Sequence, residues 1–239
     1  MKLYVYCLTE SVTLDQLPPG ISDLAVRILT IDDFAVLVSD FDSDAVTITR
    51  ENALAHAAVV RSVLDRTTPL PFRFGTLVTE QQLRSYIAAH KPSLKTNLDL
   101  VRDCVEMSVK IIWNVSQDDD VEREPGEGKQ GIGARFLQDK RREILGDERR
   151  AAQAAEISTW LRESVVGLVR DEQVTTRPSE KLLLATAHLV ERTKIKQYRD
   201  RIAEARAKRP ELHFLLSGPW PPYSFANIEL EFKSQFGVS

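Results

Sequence analysis

No run in this sequence approaches the roughly 18 consecutive apolar residues that a membrane-spanning helix needs, so it offers no transmembrane candidate. Cysteine is scarce. Cys7 and Cys104 are the two present, and neither belongs to a CxxC pair, which excludes a local thiol knuckle and suits a reducing compartment. The four histidines, His56, His90, His188 and His213, are scattered, and neither HxxxH nor HExxH occurs, so the metalloprotease and common zinc patterns are missing. No serine or cysteine stands in a recognisable nucleophile motif, and there is no dinucleotide fingerprint. Excess positive charge is lacking too: the formal net charge is -3, the wrong sign for a global attraction to nucleic acid. Met1-Lys2 runs straight into an alternating segment without a signal-peptide core, so a cytoplasmic protein is expected.

What is present reads as a soluble globular chain. Of 239 residues, 43% are hydrophobic and 28% charged, enough for one large or two ordinary domains. Leu3 to Leu8 alternates as a buried strand, with Leu3, Val5 and Cys7 on one face and Tyr4, Tyr6 and Leu8 on the other. Pro18-Pro19-Gly20 marks a loop. Leu24 to Leu29 and Phe34 to Val38 are strands joined by a turn at Asp32-Asp33. A helix follows from Arg50 to Arg66, with Ala53, Ala57, Val60 and Leu64 on one stripe. Leu70 to Phe74 is short and apolar but bounded and interrupted by Pro69 and Pro71, so it is an edge strand or a bulged one, ended by Gly75. Thr79 and Gln82 form a capping box. The helix it opens is expected to stop or bend near Pro92, with a second piece carrying Leu94, Leu98 and Val101.

At Val105 the period changes. Val105, Met107, Val109, Ile111 and Trp113 alternate with polar residues as a strand to Val115. An acidic, turn-rich loop covers 116–131, and the longest helix is expected from Ile132 to about Val169. Gln173 to Arg177 and Lys181 to Glu191 are strands around Pro178-Ser179. Ile195, Tyr198 and Ile202 mark a helix closed by Pro210, and Leu212 to Leu216 is the last strand. Strand, helix, strand, strand, helix, strand is the ferredoxin-like order. The first part follows the same plan, with its first crossover helix replaced by the Pro18-Pro19 loop. The fold class is therefore α+β: two domains, each an antiparallel sheet covered by helices. The expected domains are 1–104, a modified ferredoxin-like unit, and 105–218, a ferredoxin-like unit, with a Pro/aromatic tail at 219–239.

That tail is the most distinctive stretch. In Ser217-Gly218-Pro219-Trp220-Pro221-Pro222-Tyr223-Ser224-Phe225, Gly218 can end the preceding strand. Three prolines fix φ and remove donors, so no helix or central strand should continue. Trp220, Tyr223 and Phe225 on a stiff backbone are suited to filling pockets, on this chain or on another. Ile228 to Phe232 alternates again and reads as one more strand on an exposed edge.

The same segment, Gly218 to Phe225, is similar to the C-terminal signature of the gas vesicle protein F/L family. So is Leu70-Pro71-Phe72-Arg73-Phe74-Gly75-Thr76, with His56 on the helix before it. So is Gly133-Ala134-Arg135-Phe136-Leu137, leading into Lys140-Arg141-Arg142. Phe136 stands where the family pattern has tyrosine. Three motifs in one order identify the chain as resembling that family. The resemblance implies a non-enzymatic minor shell component or assembly factor. It implies contact with the hydrophobic major gas vesicle shell protein, and with other gas vesicle proteins. The expected task is to keep that subunit from aggregating while the vesicle is nucleated. No cofactor, nucleic acid or lipid membrane is expected as a partner. The site residues are His56, Leu70, Phe72, Arg73, Phe74, Trp220, Tyr223 and Phe225.

Each has a plainer reading. Arg73 either clamps a partner's carboxylate or carbonyl, or makes a structural hydrogen bond. His56 is a packed histidine or an acid–base group. His188, facing with Leu184 and Thr186, is a satisfied polar group or a haem ligand in an oxidising enzyme built on tandem ferredoxin-like domains, an argument from fold alone. The glycines at 126, 128, 131 and 133 lack the flanks of a phosphate loop, and Lys140 to Arg142 is offset by nearby acids.

Overall fold

A computed structural model describes residues 1–10, 14, 16–113, 148, 150–174 and 182–228. The acidic loop 116–131, the Gly133 motif, the basic run at 140–142, the turn at Pro178-Ser179 and the strand expected beyond Ile228 lie outside the described residues.

The strands are β1 (Lys2–Glu10), β2 (Arg27–Ile31), β3 (Phe34–Phe41), β4 (Leu70–Pro71), β5 (Leu77–Val78), β6 (Cys104–Trp113), β7 (Val169–Val174), β8 (Leu182–Glu191) and β9 (Leu212–Trp220). The helices are α1 (Arg50–Leu64), α2 (Glu80–Val101), α3 (residues 150–164) and α4 (Ile195–Lys208). One sheet has the order β2-β3-β1-β4, with β5 also on β1, and the other has the order β7-β8-β6-β9. Numbered within each set of four main strands, both are 2-3-1-4, the ferredoxin-like order. In the first set only a short 3-10 turn, Ile21–Asp23, stands among the described residues between β1 and β2. The α+β architecture is as the sequence indicates. The chain forms two compact units, one from Met1–Glu106 together with the chain from Pro219, the other from Met107–Gly218.

Several elements differ from the sequence reading, each for a physical reason. β1 does not alternate cleanly. Val5 pairs with Val38 and Cys7 with Leu37, so Tyr6 is an extra residue in a bulge. Tyr4, Tyr6 and Cys7 therefore join one core cluster with Ile21, Leu37, Val59, Val60 and Val63. β2 starts later, at Arg27, because Leu24 is used in the preceding turn: its carbonyl accepts from Gly20 N–H at 2.8 Å and its own N–H donates to Ile21 at 3.0 Å. α1 is rotated from the expected stripe. Ala53 and Ala57 are exposed, and the buried face is Asn52, His56, Val59, Val60, Val63 and Leu64.

Pro92 does not divide α2, which is one helix of 22 residues. Pro92 and Ala88, whose carbonyl loses its donor, are both exposed, so that carbonyl faces solvent and the loss is small compared with a buried break. The strand Leu70 to Phe74 shrinks to two residues, and β5 follows it. α3 ends at residue 164 rather than near Val169, and Gly167, at φ +77, turns the chain into β7. β7 (Val169–Val174) begins before the expected Gln173, and residues 175–177 of that expected strand lie outside the described residues. β9 runs through Gly218 (φ 114) and Pro219 to Trp220. A proline is tolerated there because β9 is at the end of its sheet, where one side needs no donor.

Candidate functional site

α1 begins where the Thr49 side chain accepts from Asn52 N–H at 3.1 Å. Two turns in, His56 is 3% exposed. Its Nδ1 lies 2.8 Å from the Tyr4 hydroxyl. That hydroxyl also accepts from Gly75 N–H at 3.3 Å, and it shares one proton with Nδ1, as donor or acceptor according to the imidazole tautomer. Nε2 has no hydrogen bond of ordinary geometry among the described residues, although the Phe72 backbone is near enough to act on it. Tyr4, Tyr6 and Phe74 surround the imidazole at centroid distances of 5.7, 5.6 and 5.9 Å. Burial pushes the His56 pKa down to about 4, with the Phe72 backbone opposing, so the ring is neutral at pH 7. Burial also raises the Tyr4 hydroxyl. Neither group changes its charge near neutrality. The pair is a packed bridge joining β1, α1 and the loop after β4.

That loop alternates in and out. Leu70 and Phe72 are fully buried, and Phe72 N–H donates to the Tyr6 carbonyl at 2.9 Å. Phe74 is half-buried, edge-on to His56. Arg73, between them, is exposed. Its carbonyl accepts from Thr76 N–H at 3.2 Å and Thr76 Oγ1 at 2.7 Å. Its guanidinium has no hydrogen bond or ion pair among the described residues. Gly75, at φ +87, supplies the left-handed turn that returns the chain to β5.

A second network ties the Pro18-Pro19-Gly20 loop under β1. Tyr6 Oη accepts from Ile21 N–H at 3.0 Å and lies 3.0 Å from Ser39 Oγ, which donates to the Ala25 carbonyl at 2.9 Å. A Cβ on Gly20 would meet Tyr6 Oη at 2.0 Å, so only glycine fits.

The aromatic tail divides. Phe225 is fully buried, while Trp220 is 47% and Tyr223 42% exposed. The buried Glu106 carboxylate accepts from Ser224 N–H at 2.7 Å and Ser224 Oγ at 3.0 Å. Burial raises the Glu106 pKa and these two bonds lower it, burial being the larger effect. Arg61, on the outward face of α1, donates to the Pro219 carbonyl at 2.7 Å. That places Trp220 beside the end of α1. The same face carries Arg50, Leu54, Ala57 and Ala58 at helical spacing, all exposed, with Leu54 at 59% and Ile48, just before the helix, at 86%.

In the second unit, His188 is fully buried. Its Nδ1 lies 2.7 Å from Tyr198 Oη and its Nε2 3.4 Å from Glu172 Oε1. Arg162 Nε donates to the other oxygen of Glu172 at 2.6 Å. Both imidazole nitrogens are engaged, which leaves no lone pair for iron without breaking the network, so His188 is a satisfied polar group. Burial lowers its pKa, against Glu172.

Sequence reasoning missed Tyr4, Tyr6, Gly20, Asn52, Glu106 and Glu172. Tyrosines inside a buried strand and polar residues on a buried helix stripe were the available signals. Glu106 and Glu172 carry no signal, because their partners lie 118 and 16 residues away. A groove of about 280 Å³ is lined by Glu10, Asp33, Phe34, Lys95, Leu98 and Asp99. Its charges are paired: Lys95 with Asp33 at 2.9 Å, and Arg102 with Glu10 and Asp99 at 2.6 Å. No group of three or more possible metal ligands occurs among the described residues. No helix among them is long and apolar enough to cross a membrane.

The chain is similar to known proteins along nearly its whole length. The family described as gas vesicle synthesis protein GvpL/GvpF matches residues 2–227. Gas vesicle protein L2 of Halobacterium salinarum is 27% identical, over 93% of this chain and 90% of the relative. Gas vesicle protein F1 of the same organism is 24% identical, over 99% and 98%. The crystal structure of gas vesicle protein GvpF from Anabaena superposes with a TM-score of 0.77 at 20% identity, covering 95% of this chain and 99% of that one. GvpF from Microcystis aeruginosa gives 0.75 at 19%, with the same coverage. These structures share the fold, and the family match extends over both ferredoxin-like units. The chain belongs to the gas vesicle GvpL/GvpF family.

Proposed function

We propose that this chain is a non-enzymatic minor shell component or assembly factor that holds the hydrophobic major gas vesicle shell subunit through the first unit. A nascent apolar subunit aggregates through its exposed apolar surface and strand edges. A partner that covers such surface reversibly keeps it soluble until it is incorporated. The observation that carries this reading is the outward face of α1. Leu54, Ala57 and Ala58 stand in solvent together, Ile48 precedes them, and Arg61 fastens the backbone beside Trp220 at the far end. A helix with a second apolar face, when the first is already in the core, has surface to give to a partner. Arg73 adds an exposed cation for a carboxylate or carbonyl on the bound subunit.

The test is co-purification of the shell subunit with the full chain. Leu54→Lys with Ala58→Glu is expected to abolish capture while leaving thermal stability within ~0.5 kcal/mol of the parent, as for other surface changes. Arg73→Ala is expected to weaken capture. Undiminished capture by a folded Leu54→Lys, Ala58→Glu chain would remove α1 from the contact. Capture by residues 107–218 without the first unit would defeat the assignment altogether.

A further inference from the structure

We propose that β2 is a self-association edge, by which two copies of this chain join their first sheets in antiparallel, two-fold pairing. The inference concerns β2 rather than α1 and stands apart from the shell-subunit reading.

Sheet ends in soluble proteins are guarded against stray pairing by prolines, bulges, charges or extreme shortness. Three of the four ends here are guarded. β4 has two residues, one of them Pro71. β7 carries Arg170, Asp171 and Glu172 and a bulge between Val169 and Asp171. β9 contains Gly218 and Pro219, and their carbonyls are taken by Arg199 at 3.0 Å and Arg61 at 2.7 Å. β2, Arg27-Ile28-Leu29-Thr30-Ile31, has no proline or glycine, and its register against β3 is unbroken from Arg27↔Val38 to Ile31↔Phe34. It is at the end of its sheet, and no other strand among the described residues pairs with it.

The register defines which groups are on offer. A two-residue connection makes Ile31 and Phe34 a hydrogen-bonded pair. Alternation then turns the backbone groups of Leu29 and Arg27 toward β3, and those of Ile28 and Thr30 outward. Centred on Leu29, a second β2 running antiparallel sets Ile28 opposite the second copy's Thr30, and Thr30 opposite its Ile28. Both are outward-facing pairs, so four backbone hydrogen bonds close with no group left over. The charged side chains at the two ends are engaged within each copy, Arg27 with Asp40 at 2.9 Å and Asp32 and Asp33 with Lys91 at 3.2 Å, so they do not select the direction; two-fold closure, which uses one patch twice, requires the antiparallel one. Each copy uses the same patch, so the pair closes on itself and does not propagate into a filament. An edge-only contact is small, in the weak and transient class.

The experiment is sedimentation of the full chain over roughly a hundredfold concentration range centred on the micromolar, with amide exchange read by residue. The expected result is a weight-average mass rising toward that of a dimer. The Ile28 and Thr30 amides should gain protection with concentration, while those of Arg27 and Leu29 do not change. Thr30→Pro removes an outward donor without touching the β3 ladder and should stay monomeric at an unaltered melting temperature, while Thr30→Ala should associate like the parent. A parent that is monomeric throughout overturns the proposal, even if those two amides become protected by some other protein. So does a dimer in which the Ile28 and Thr30 amides still exchange freely. If Thr30→Pro fails to fold, the exchange pattern of the parent decides.

Discussion

The Tyr4 hydroxyl on β1 is hydrogen-bonded to Nδ1 of His56 on α1 across 2.8 Å, with the rings edge-on at 5.7 Å and 84°. The second unit contains the same arrangement with the residues exchanged. His188 is on the strand and Tyr198 on the helix, 2.7 Å apart, again at 5.7 Å and 84°. Each ferredoxin-like unit thus fastens a helix to its sheet with a buried neutral Tyr–His pair. A neutral imidazole is required, since burial disfavours the charged ring in both places.

Acid should therefore loosen the fold. A histidine whose folded pKa is about 4 and whose unfolded value is near 6.5 takes up its proton more readily when unfolded. The stability it contributes is complete above about pH 7 and is lost as pH falls from 6.5 toward 4. For His56 the full effect is at most roughly 3.4 kcal/mol, and His188 acts in the same direction. Glu106, with its pKa raised by burial, has the opposite sign at the acid end and offsets part of it. The melting temperature should fall steadily between pH 7 and pH 4.5, and less steeply for His56→Gln. A melting temperature constant over that interval would contradict a buried neutral His56.

Removing the Tyr4 hydroxyl leaves His56 Nδ1 and Gly75 N–H without their partner. Tyr4→Phe should cost roughly 1–3 kcal/mol. Tyr223→Phe, at a half-exposed ring, should cost no more than about 0.5 kcal/mol. Urea unfolding of the two variants beside the parent makes the comparison. Equal midpoints would mean that the Tyr4–His56 bond contributes nothing net.

Gly20→Ala should destabilise by about 1–3 kcal/mol, because the new Cβ has to displace Tyr6 Oη. In a Tyr6→Phe background the same change should cost less, as the oxygen it meets at 2.0 Å is gone. The double-mutant cycle then has a non-additivity of at least about 0.5 kcal/mol. Strict additivity would place the clash elsewhere.

Glu106→Ala removes the acceptor for both Ser224 N–H and Ser224 Oγ. A buried N–H left without a partner costs about 1–3 kcal/mol, and the tail should detach locally before the rest unfolds. Limited proteolysis should cut between Pro221 and Ile228 sooner in Glu106→Ala than in the parent, with Ser224→Ala in between. Identical digestion patterns would show that Phe225 alone secures the tail.

Much of the architecture was legible in the chain. Thr79 and Gln82 form the capping box their spacing suggests, with bonds of 3.2 and 2.8 Å. Asp32-Asp33 is the turn of the β2–β3 hairpin. β8 and α4 occur where apolar periods of two and 3.6 place them. These signals are local: each depends on residues within a few positions of one another. The α+β class follows because the order of such elements restricts how sheets can close.

What could not be read locally was which side of an element the core takes. α1 buries Asn52 and His56 and leaves Leu54 in water, the reverse of a hydropathy reading, because Ser22 N–H from the Ile21–Asp23 turn and the Tyr4 hydroxyl from β1 arrive to satisfy those polar groups. Proline at 219 and at 92 is tolerated for the same kind of reason: only the assembled sheet makes one side of β9 an edge, and only packing sends the free carbonyl under Pro92 to solvent. Short-range patterning thus determined the elements and their order. Tertiary structure decided faces, bulges and edges, since a buried polar atom or a missing donor has a cost only when its neighbours in space are known.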